Sequence, residues 1–353
     1  MTLILNNDDV QKALDPDECL GACEDGYREL AANNAVNRPT SQSYLPHSLP
    51  RSTYSFKSVE GGIGKLRVMA LRITSDIVKE EEVSGTLRLN KLPLAGKGQF
   101  VGMVQLFSTE TGEPLAIMPD GLIQQARVAV TSALGVKFLA RKDCATLGLI
   151  GTGDQAHAHF RALTKIRPIK KVKVFSPTPA HREEFAKEME RESGIEVKPT
   201  SSVAETVAQC DLVCTATNAS RPIITGTLLE PGMHYNAIRE FEIDETVFSR
   251  SDVVAIHTRF GGSLHYLPPH QEVDLPGVRR EKPRDWSLFP EISDVVSGRS
   301  PTRENDKQIT FFLNNIGTGV QFAAVGFSVY RRAQQLGLGK EVPTDWFLQD
   351  IKP

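Results

Sequence analysis

Hydrophobic and polar residues follow different patterns in the two halves of the chain. Up to about residue 125, helical and strand periodicities are mixed, and turn-forming residues separate them. This part is expected to form a mixed α and β domain. Its predicted elements are a helix from Asp15 towards Asn33, strands at 66–73, 98–107 and 114–118, and a loop or edge strand at 38–51.

From about residue 145, short apolar strands alternate with amphipathic helices. Strands and helices that alternate in this way form a parallel sheet with right-handed crossovers. The predicted fold class is therefore α/β, with a doubly wound parallel sheet of the Rossmann type and a second α/β domain. The predicted strands are 145–150, 171–175, 196–198, 212–217, 234–238 and 252–257, with helices at 124–141, 155–165, 179–192, 202–209 and 318–336 and an irregular loop at 264–285.

A glycine-rich turn joins the first of these strands to its helix. The strand ends at Ile150, and the chain continues as Gly151-Thr152-Gly153-Asp154-Gln155-Ala156. In this pattern the first glycine permits the turn, the second lets the backbone approach a diphosphate, and the small third residue lets the helix pack on the sheet. The helix N-terminus adds free N–H groups and partial positive charge. We therefore expect all six residues to bind a nicotinamide dinucleotide; the alternative is a glycine-rich turn without a ligand.

The end of the second strand bears on which dinucleotide is bound. An acidic residue there would hydrogen-bond the ribose 2′-hydroxyl of NAD, but the sequence has no acid between Phe175 and Glu183. Ser176, Thr178 and Arg182 could instead hold a 2′-phosphate, so NADP is favoured, with NAD as the alternative. The predicted cofactor-binding set also includes Thr215, Ala216 and Thr217, at the end of the strand predicted at 212–217.

Composition and charge exclude several classes of function. The net charge of −2 over 353 residues provides no basic field for nucleic acid or a membrane surface. The first residues do not resemble a signal peptide, and no apolar run is long enough to span a membrane, so a cytoplasmic location is expected. The five cysteines are expected to be reduced and mostly buried. No metal site is predicted, because His157 and His159 have no third ligand placed with them.

Several ordered motifs resemble the ornithine cyclodeaminase/mu-crystallin family. The resemblance runs from Arg38 to Leu338 and so covers most of the chain. The matching segments are 151–156 (GTGDQA, similar to the family's GTGxQA), 124–133 around Arg127, 231–238 (PGMHYNAI, similar to PGxHxNAxG), 291–303 and 309–312 (similar to the return to the first domain) and 329–333 in the closing helix.

The resemblance implies a discontinuous architecture and a class of reactions. Residues 1–128 and 318–353 would bind the substrate and form a homodimer, and 129–317 would form the Rossmann domain. The implied function is that of an NAD(P)-dependent imine reductase or amino-acid dehydrogenase, which acts on the Cα–N bond of a small amino, imino or keto acid. The alternatives are an ornithine cyclodeaminase-type ammonia lyase with bound NAD and a non-catalytic, crystallin-like cofactor-binding protein.

Arginines are the candidates for holding the substrate carboxylate. Arg127 is the first candidate, and Arg38 and Arg72 could assist it. Arg72 stands where the family usually has a lysine, and an arginine cannot act as a base near neutral pH. Lys57 and Lys65 lie nearby but outside the preferred alignment. Because Arg72 and Arg127 are both expected to face the ligand, a substrate with a second anionic group is hypothesised.

The residue that handles the proton on nitrogen is left open between three candidates: Glu240, Asp76 and His234. Cyclodeaminases carry an aspartate shortly after the 231–238 segment, where the nearest carboxylates of this chain are Glu240 and Glu242. The predicted catalytic set is Arg127, Arg72 and Glu240. The acidic pair that is usual at the start of the closing helix is replaced by Gln321 and Phe322.

Overall fold

The computed structural model describes residues 1–83, 86–219, 221–260, 263–267 and 284–351. The chain divides into two compact units, of which the first comprises Met1–Gln124, Phe260–Asp285 and Thr318–Pro353 and the second Gln125–Arg259 and Trp286–Gly317. The described residues between 260 and 285, which the predicted boundaries placed in the Rossmann domain, cluster with the first unit. Of the irregular loop predicted at 264–285, residues 268–283 lie outside the described residues, and Leu264–Tyr266 form a strand.

The first unit contains a large, mostly antiparallel sheet. Its strands are β1 (Thr2–Ile4), β2 (Ala35–Asn37), β3 (Ser41–Pro46), β4 (Ser52–Ile63), β5 (Val68–Val83), β6 (Thr86–Leu92), β7 (Val101–Ser108), β8 (Pro114–Pro119), β15 (Leu264–Tyr266) and β17 (Lys340–Val342). The main path through the sheet is β15-β3-β4-β5-β7-β8-β1-β17, with β2 paired to β4 and β6 paired to β5. The hairpin predicted between the strands at 98–107 and 114–118 is confirmed as β7 and β8.

Three helices belong to this unit: α1 (Asn7–Ala13), α2 (Pro16–Ala31) and the closing helix α9 (Gly319–Leu336). The helix predicted from Asp15 is confirmed as α2, and the Asp15 carboxylate accepts hydrogen bonds from the amides of Asp17 and Glu18. Helix α9 ends at Gly337, which has the left-handed conformation common after a helix. Its buried side chains pack on α2, β4 and β5, so the closing helix completes the core of the first unit.

The second unit is built around a parallel sheet, which confirms the predicted fold class. Its strands are β9 (Thr146–Ile150), β10 (Lys171–Phe175), β11 (Glu196–Pro199), β12 (Leu212–Thr215), β13 (His234–Ala237), β14 (Val253–Ile256) and β16 (Thr310–Leu313), in the order β11-β10-β9-β12-β13-β16-β14. The helices are α3 (Gly121–Leu139, which enters from the first unit), α4 (Asp154–Ile166), α5 (Pro179–Ser193), α6 (Val203–Val207), α7 (Glu245–Arg250) and α8 (Ile292–Val296). Short 3₁₀ helices span Gly64–Leu66, Gly226–Leu228, Glu240–Glu242 and Thr344–Phe347 across the two units.

Strand β16 corrects the interpretation of one segment. The resemblance suggested that 309–312 returns to the first domain, whereas Thr310–Leu313 lies between β13 and β14 in the second sheet. All four residues of β16 are buried, as expected for a central strand of a parallel sheet that is covered on both faces.

Within the described ranges, no helix combines the length and the apolar composition needed to cross a bilayer. The five cysteines are free and buried, as predicted.

Candidate nucleotide and substrate site

The phosphate turn has the geometry of an open anion site. Gly153 is the N-cap residue of α4, and among the described residues no side chain caps the first amides of this helix. A Cβ built on Gly153 would meet no atom within 4 Å, and both Gly153 and Asp154 are exposed. Ala156 is fully buried, so the helix packs closely on the sheet. Unpaired amides at an accessible helix N-terminus fit the diphosphate of a dinucleotide.

The backbone of the turn is fixed by the neighbouring strands. Gly151 has φ +120°, and a Cβ there would overlap the carbonyl oxygen of Ala216. The Gly151 amide donates to Phe175 O at 2.9 Å, and the Ala216 amide donates to Ile150 O at 2.8 Å. The turn therefore lies directly beside the 215–217 segment, at the carboxyl ends of β9 and β12. The strand order reverses between these two strands, which is where doubly wound sheets bind their ligands.

The segment after β10 carries no acidic group up to Glu183, as the sequence indicates. Ser176 is buried, Thr178 is exposed, and Arg182 lies between these extremes. The Arg182 guanidinium donates to Ser176 O at 3.0 Å and lies 5.8 Å from the Phe175 ring centre. One hydrogen bond to a carbonyl leaves most of the donors of the guanidinium available to a further acceptor.

Arg127 lies at the same edge of the parallel sheet as the phosphate turn. It projects from α3, is 7% exposed, and packs against the backbone of Gly317, where a Cβ would be 2.7 Å from the guanidinium carbon. Gly317 follows β16. His257, which follows β14, is fully buried, and its Nδ1 is hydrogen-bonded with Ile316 O. Burial is the largest cause that lowers the pKa of His257 to about 3; the Arg127 charge adds to it, and the hydrogen bond with Ile316 O opposes it. The edge therefore presents a buried cation beside a neutral imidazole.

Glu240 and Glu242 differ in their surroundings although they are two residues apart. Glu240 begins the 3₁₀ helix after β13 and is partly exposed, whereas Glu242 is fully buried. His234 lies at the opposite, amino end of β13, where its Nδ1 is hydrogen-bonded with Thr310 Oγ1 at 2.8 Å. Burial and the charges of Arg303 and Arg167 lower the pKa of His234 well below its ordinary value. His234 is thus a neutral residue of the sheet interior, distant from the carboxyl edge.

In the first unit, Arg72 is already paired. Its Nε donates to Asp120 Oδ2 at 2.8 Å, and its guanidinium lies 5.4 Å from the Phe322 ring centre. The Arg72 and Asp120 side chains are 13% and 10% exposed. Arg38 pairs with Glu60 at 2.8 Å on the surface. The carboxylate partner of Arg72 removes one of the two cations on which the hypothesis of a second substrate anion rested.

Lys57 shares a sheet face with Arg72. In the β4–β5 register, Lys57 lies opposite Thr74 and Val59 opposite Arg72, so Lys57 and Arg72 project from the same face. Asp76 lies on this face too, is buried, and pairs with Lys91 at 2.7 Å. Among the described residues, no hydrogen bond or ion pair is formed by the Lys57 amine. Burial, Lys91 and Arg72 lower the pKa of Lys57 to about 8, against an opposing effect of Asp76.

The sequence model of the ornithine cyclodeaminase/mu-crystallin family matches residues 64–336. This chain belongs to that family. The Δ¹-pyrroline-2-carboxylate reductase of Bacillus cereus is 25% identical over 346 residues, which are 96% of this chain and 99% of the relative. Among solved structures, the Thermococcus litoralis Δ¹-pyrroline-2-carboxylate reductase with NADH and L-proline has a TM-score of 0.77 at 24% identity, covering 97% of this chain and 100% of that one. An archaeal alanine dehydrogenase dimer with bound NAD has a TM-score of 0.74 at 22% identity, covering 97% and 99%.

Two of the departures from the family pattern can be located in the structure. At the position where the family resemblance led to the expectation of a lysine, this chain has the Arg72–Asp120 pair, and Lys57 occupies the neighbouring strand on the same face. Gln321, in place of an acid, accepts from the Thr318 amide at 3.1 Å and so caps α9. No local sequence pattern marks Lys57 as a site residue, because only the antiparallel register of β4 and β5 places Lys57 and Arg72 on one face. The sequence alone did not predict that β4 is a strand.

Proposed function

We propose that this protein is an NAD(P)-dependent oxidoreductase of the imine reductase or amino-acid dehydrogenase type. The observation that carries the proposal is the carboxyl edge of the second sheet, where an uncapped helix N-terminus and the buried Arg127 both lie. The first fits a diphosphate and the second fits a carboxylate. The reductase relative and the nucleotide-bound neighbours support the same reaction class.

The residues of the phosphate turn, Gly151 to Ala156, would hold the diphosphate, and the 215–217 segment would border the remainder of the cofactor. A bound nicotinamide supplies or accepts the hydride at the substrate Cα. Arg127 would hold the substrate carboxylate through two parallel hydrogen bonds, which fixes the orientation of the Cα. Its burial strengthens this interaction, because little water competes for the guanidinium. A small amino, imino or keto acid is therefore the proposed substrate.

The segment after β10 favours NADP over NAD. Ser176, Thr178 and Arg182 would bind a 2′-phosphate, which no nearby acid would repel. The test compares NADPH and NADH by calorimetry, with Arg182→Ala as the variant. We expect NADPH to bind more tightly, and the variant to weaken NADPH binding about tenfold while leaving NADH within about twofold. Tighter binding of NADH to the unmodified protein would overturn the preference.

The candidate that the first unit offers for proton transfer is Lys57. A lysine with a pKa near 8 is partly protonated and partly neutral at working pH, as a general acid and base requires. The charged groups that act on it are Arg72, Asp76 and Lys91, and His265 on the same sheet has its own pKa lowered by burial and by Lys57. In the reductive direction the rate should fall as the pH rises through about 8, and Lys57→Arg should abolish that limb of the profile. An unchanged profile in the variant would exclude Lys57 and leave Glu240 as the candidate.

A single assay separates the proposed function from the two alternatives. Purified protein is incubated with NADPH or NADH and a panel of cyclic and linear imino acids, and with amino acids and the oxidised cofactors. A reductase or dehydrogenase changes nicotinamide absorbance with net turnover. A cyclodeaminase releases ammonia from ornithine without a net change in cofactor. Cofactor binding without turnover of any substrate would identify a non-catalytic, crystallin-like protein.

A homodimer is proposed from the face of the first sheet that is opposite Lys57. Leu45, Phe56 and Val101 project from this face and are 54%, 36% and 40% exposed. Contiguous exposed apolar side chains mark association surfaces, and a neighbour of the same fold is a dimer. Phe56→Lys is expected to convert the dimer to a monomer in light scattering, since a lysine ammonium would be desolvated in the interface. An unmodified protein that is monomeric at micromolar concentration would refute the proposal.

A further inference from the structure

A single buried carboxylate connects two loops at the carboxyl edge of the second sheet. Glu242 Oε1 accepts from the Thr217 amide at 2.7 Å and from the Thr217 hydroxyl at 2.8 Å. Its Oε2 accepts from the Thr215 hydroxyl at 2.8 Å and from the amides of Ile238 and Arg239 at 3.1 and 3.2 Å. Both oxygens are therefore used, and each accepts from more than one donor.

The two loops held by Glu242 border the predicted ligand crevice. Thr215 is the last residue of β12, and its register partners are Ile150, just before the phosphate turn, and Ala237, the last residue of β13. The Ala216 amide also donates to Ile150 O at 2.8 Å. The phosphate turn, the 215–217 segment and the 238–239 segment thus form one rim, and the Glu242 carboxylate joins the second and third of these.

The donors show why the residue must be a carboxylate. Three of the five are backbone amides, which can only donate, so both side-chain oxygens must accept. Burial raises the pKa of the Glu242 carboxyl, and the hydrogen bonds from Thr217, Thr215 and Ile238 oppose that effect. A glutamine would fit in volume but would place an NH₂ group against one of these sets of donors. Glu242 is fully buried, so it has no surface with which to touch a substrate.

We infer that Glu242 is a positioning residue, which holds the loops after β12 and β13 in the shape that receives the nicotinamide half of the cofactor. The inference rests on the proposed dinucleotide binding and adds a residue that the family resemblance did not assign. The adenosine diphosphate half would instead depend on the phosphate turn and on the segment after β10. Loss of the Glu242 carboxylate should therefore affect one half of the ligand and spare the other.

The test compares the intact cofactor with fragments that lack its nicotinamide half: 2′,5′-ADP lacks the nicotinamide mononucleotide of NADPH, and ADP lacks the nicotinamide riboside of NADH. Binding of NADPH and of 2′,5′-ADP is measured by calorimetry for the unmodified protein and for Glu242→Gln, with NADH and ADP as the second pair. We expect NADPH to bind at least about tenfold more weakly to the variant and 2′,5′-ADP to change by less than about twofold. The enhanced fluorescence of bound NADPH should also decrease at saturation, because the ring would no longer be held in one environment.

Asp211 provides a matched control at the opposite edge of the same sheet. Its Oδ2 accepts from the amides of Ala145 and Thr146, both at 2.9 Å, and from the Thr146 hydroxyl at 2.8 Å, while Oδ1 pairs with Arg141. Asp211→Asn thus disrupts a similar carboxylate cluster away from the crevice. If this variant folds with a similar loss of thermal stability but binds both ligands normally, the Glu242 effect is not a general consequence of a weakened sheet.

Each result decides between a positioning and a merely structural role. Equal weakening of NADPH and 2′,5′-ADP in Glu242→Gln, or the same selective loss in Asp211→Asn, would overturn the inference. Failure of the unmodified protein to bind any of the four nucleotides would instead refute the proposed function. If Glu242→Gln does not fold, Thr215→Val removes one donor and retains the shape of the side chain. It should then show the same selectivity at smaller amplitude, and an unselective loss would count against the inference.

Discussion

Alanine substitution should leave stability nearly unchanged at one glycine of the phosphate turn and lower it at the other. At Gly153 the backbone has φ −86° and ψ −175°, which any residue adopts, and an added Cβ would meet no atom within 4 Å. The free energy of unfolding of Gly153→Ala should therefore stay within about 0.5 kcal/mol of the unmodified protein. At Gly151 the φ of +120° and the overlap with Ala216 O should destabilise the alanine variant by about 1–3 kcal/mol.

The effect of Gly153→Ala on binding follows from the same geometry. The open space at Gly153 lies directly at the uncapped N-terminus of α4. A methyl group there would keep a diphosphate oxygen from reaching the first amides. A hydrogen bond to a charged group contributes about 1.5–3 kcal/mol, so the loss of one corresponds to a Kd about 10- to 150-fold higher.

Calorimetric titration with NADPH and NADH, together with thermal unfolding without ligand, tests both statements. The expected pattern is an unchanged melting temperature with weaker binding for Gly153→Ala, and a lowered melting temperature for Gly151→Ala. Normal dinucleotide affinity in Gly153→Ala would refute the assignment of the turn as a diphosphate site. A lowered melting temperature in Gly153→Ala would contradict the open space and the unstrained backbone described at Gly153.

Three further outcomes are expected. Arg127→Lys should lower kcat/KM for the imino acid about 10- to 150-fold through loss of one charge-assisted hydrogen bond, while the Kd of NADPH in calorimetry stays unchanged. Gly135→Ala should lower the free energy of unfolding in urea by about 1–3 kcal/mol, because its Cβ would lie 2.7 Å from Cγ of Phe312. Burial lowers the pKa of His159 to about 4 and that of His257 to about 3. Below the ordinary histidine pKa of 6.5, these two side chains therefore bind protons in the unfolded chain but stay neutral in the folded chain. Stability should therefore fall as the pH drops below about 6.5, by about 2 kcal/mol per histidine at pH 5 in urea unfolding, and equal stability at pH 7 and pH 5 would contradict this.

The second unit could be predicted closely because its signals are local. The predicted strand at 171–175 coincides with β10, and α5 begins at Pro179 and stops before Gly194, which has a positive φ. Strands buried on both faces appear as apolar runs, and the helices between them have their own start and stop residues. The exception is β16, because a short apolar run does not reveal where along a sheet it will be inserted.

The first unit was predicted less completely because its strands depend on pairing with distant segments. Strand β4 (Ser52–Ile63) was not identified, and β5 (Val68–Val83) extends ten residues beyond the predicted end at residue 73. Residues 52–58 of β4 are mostly polar on both faces, so no clear hydrophobic alternation marks them. The position of Lys57 beside Arg72 follows only from the antiparallel register of these two strands.

The chemistry of individual side chains was the least predictable part, because it depends on partners that are distant in sequence. Arg72 has the charge of a substrate clamp, but Asp120, which is 48 residues away, neutralises it. Glu240 and Glu242 are equivalent as nearby acids in the sequence, yet the second is buried at the carboxyl edge of the sheet with five donors bound to it, and the first stays partly exposed. A carboxylate with every lone pair occupied cannot exchange a proton during a reaction without disrupting the rim that it holds. Proton transfer is therefore more compatible with a group that has no partner among the described residues, which is the property that separates Lys57 from the buried acid.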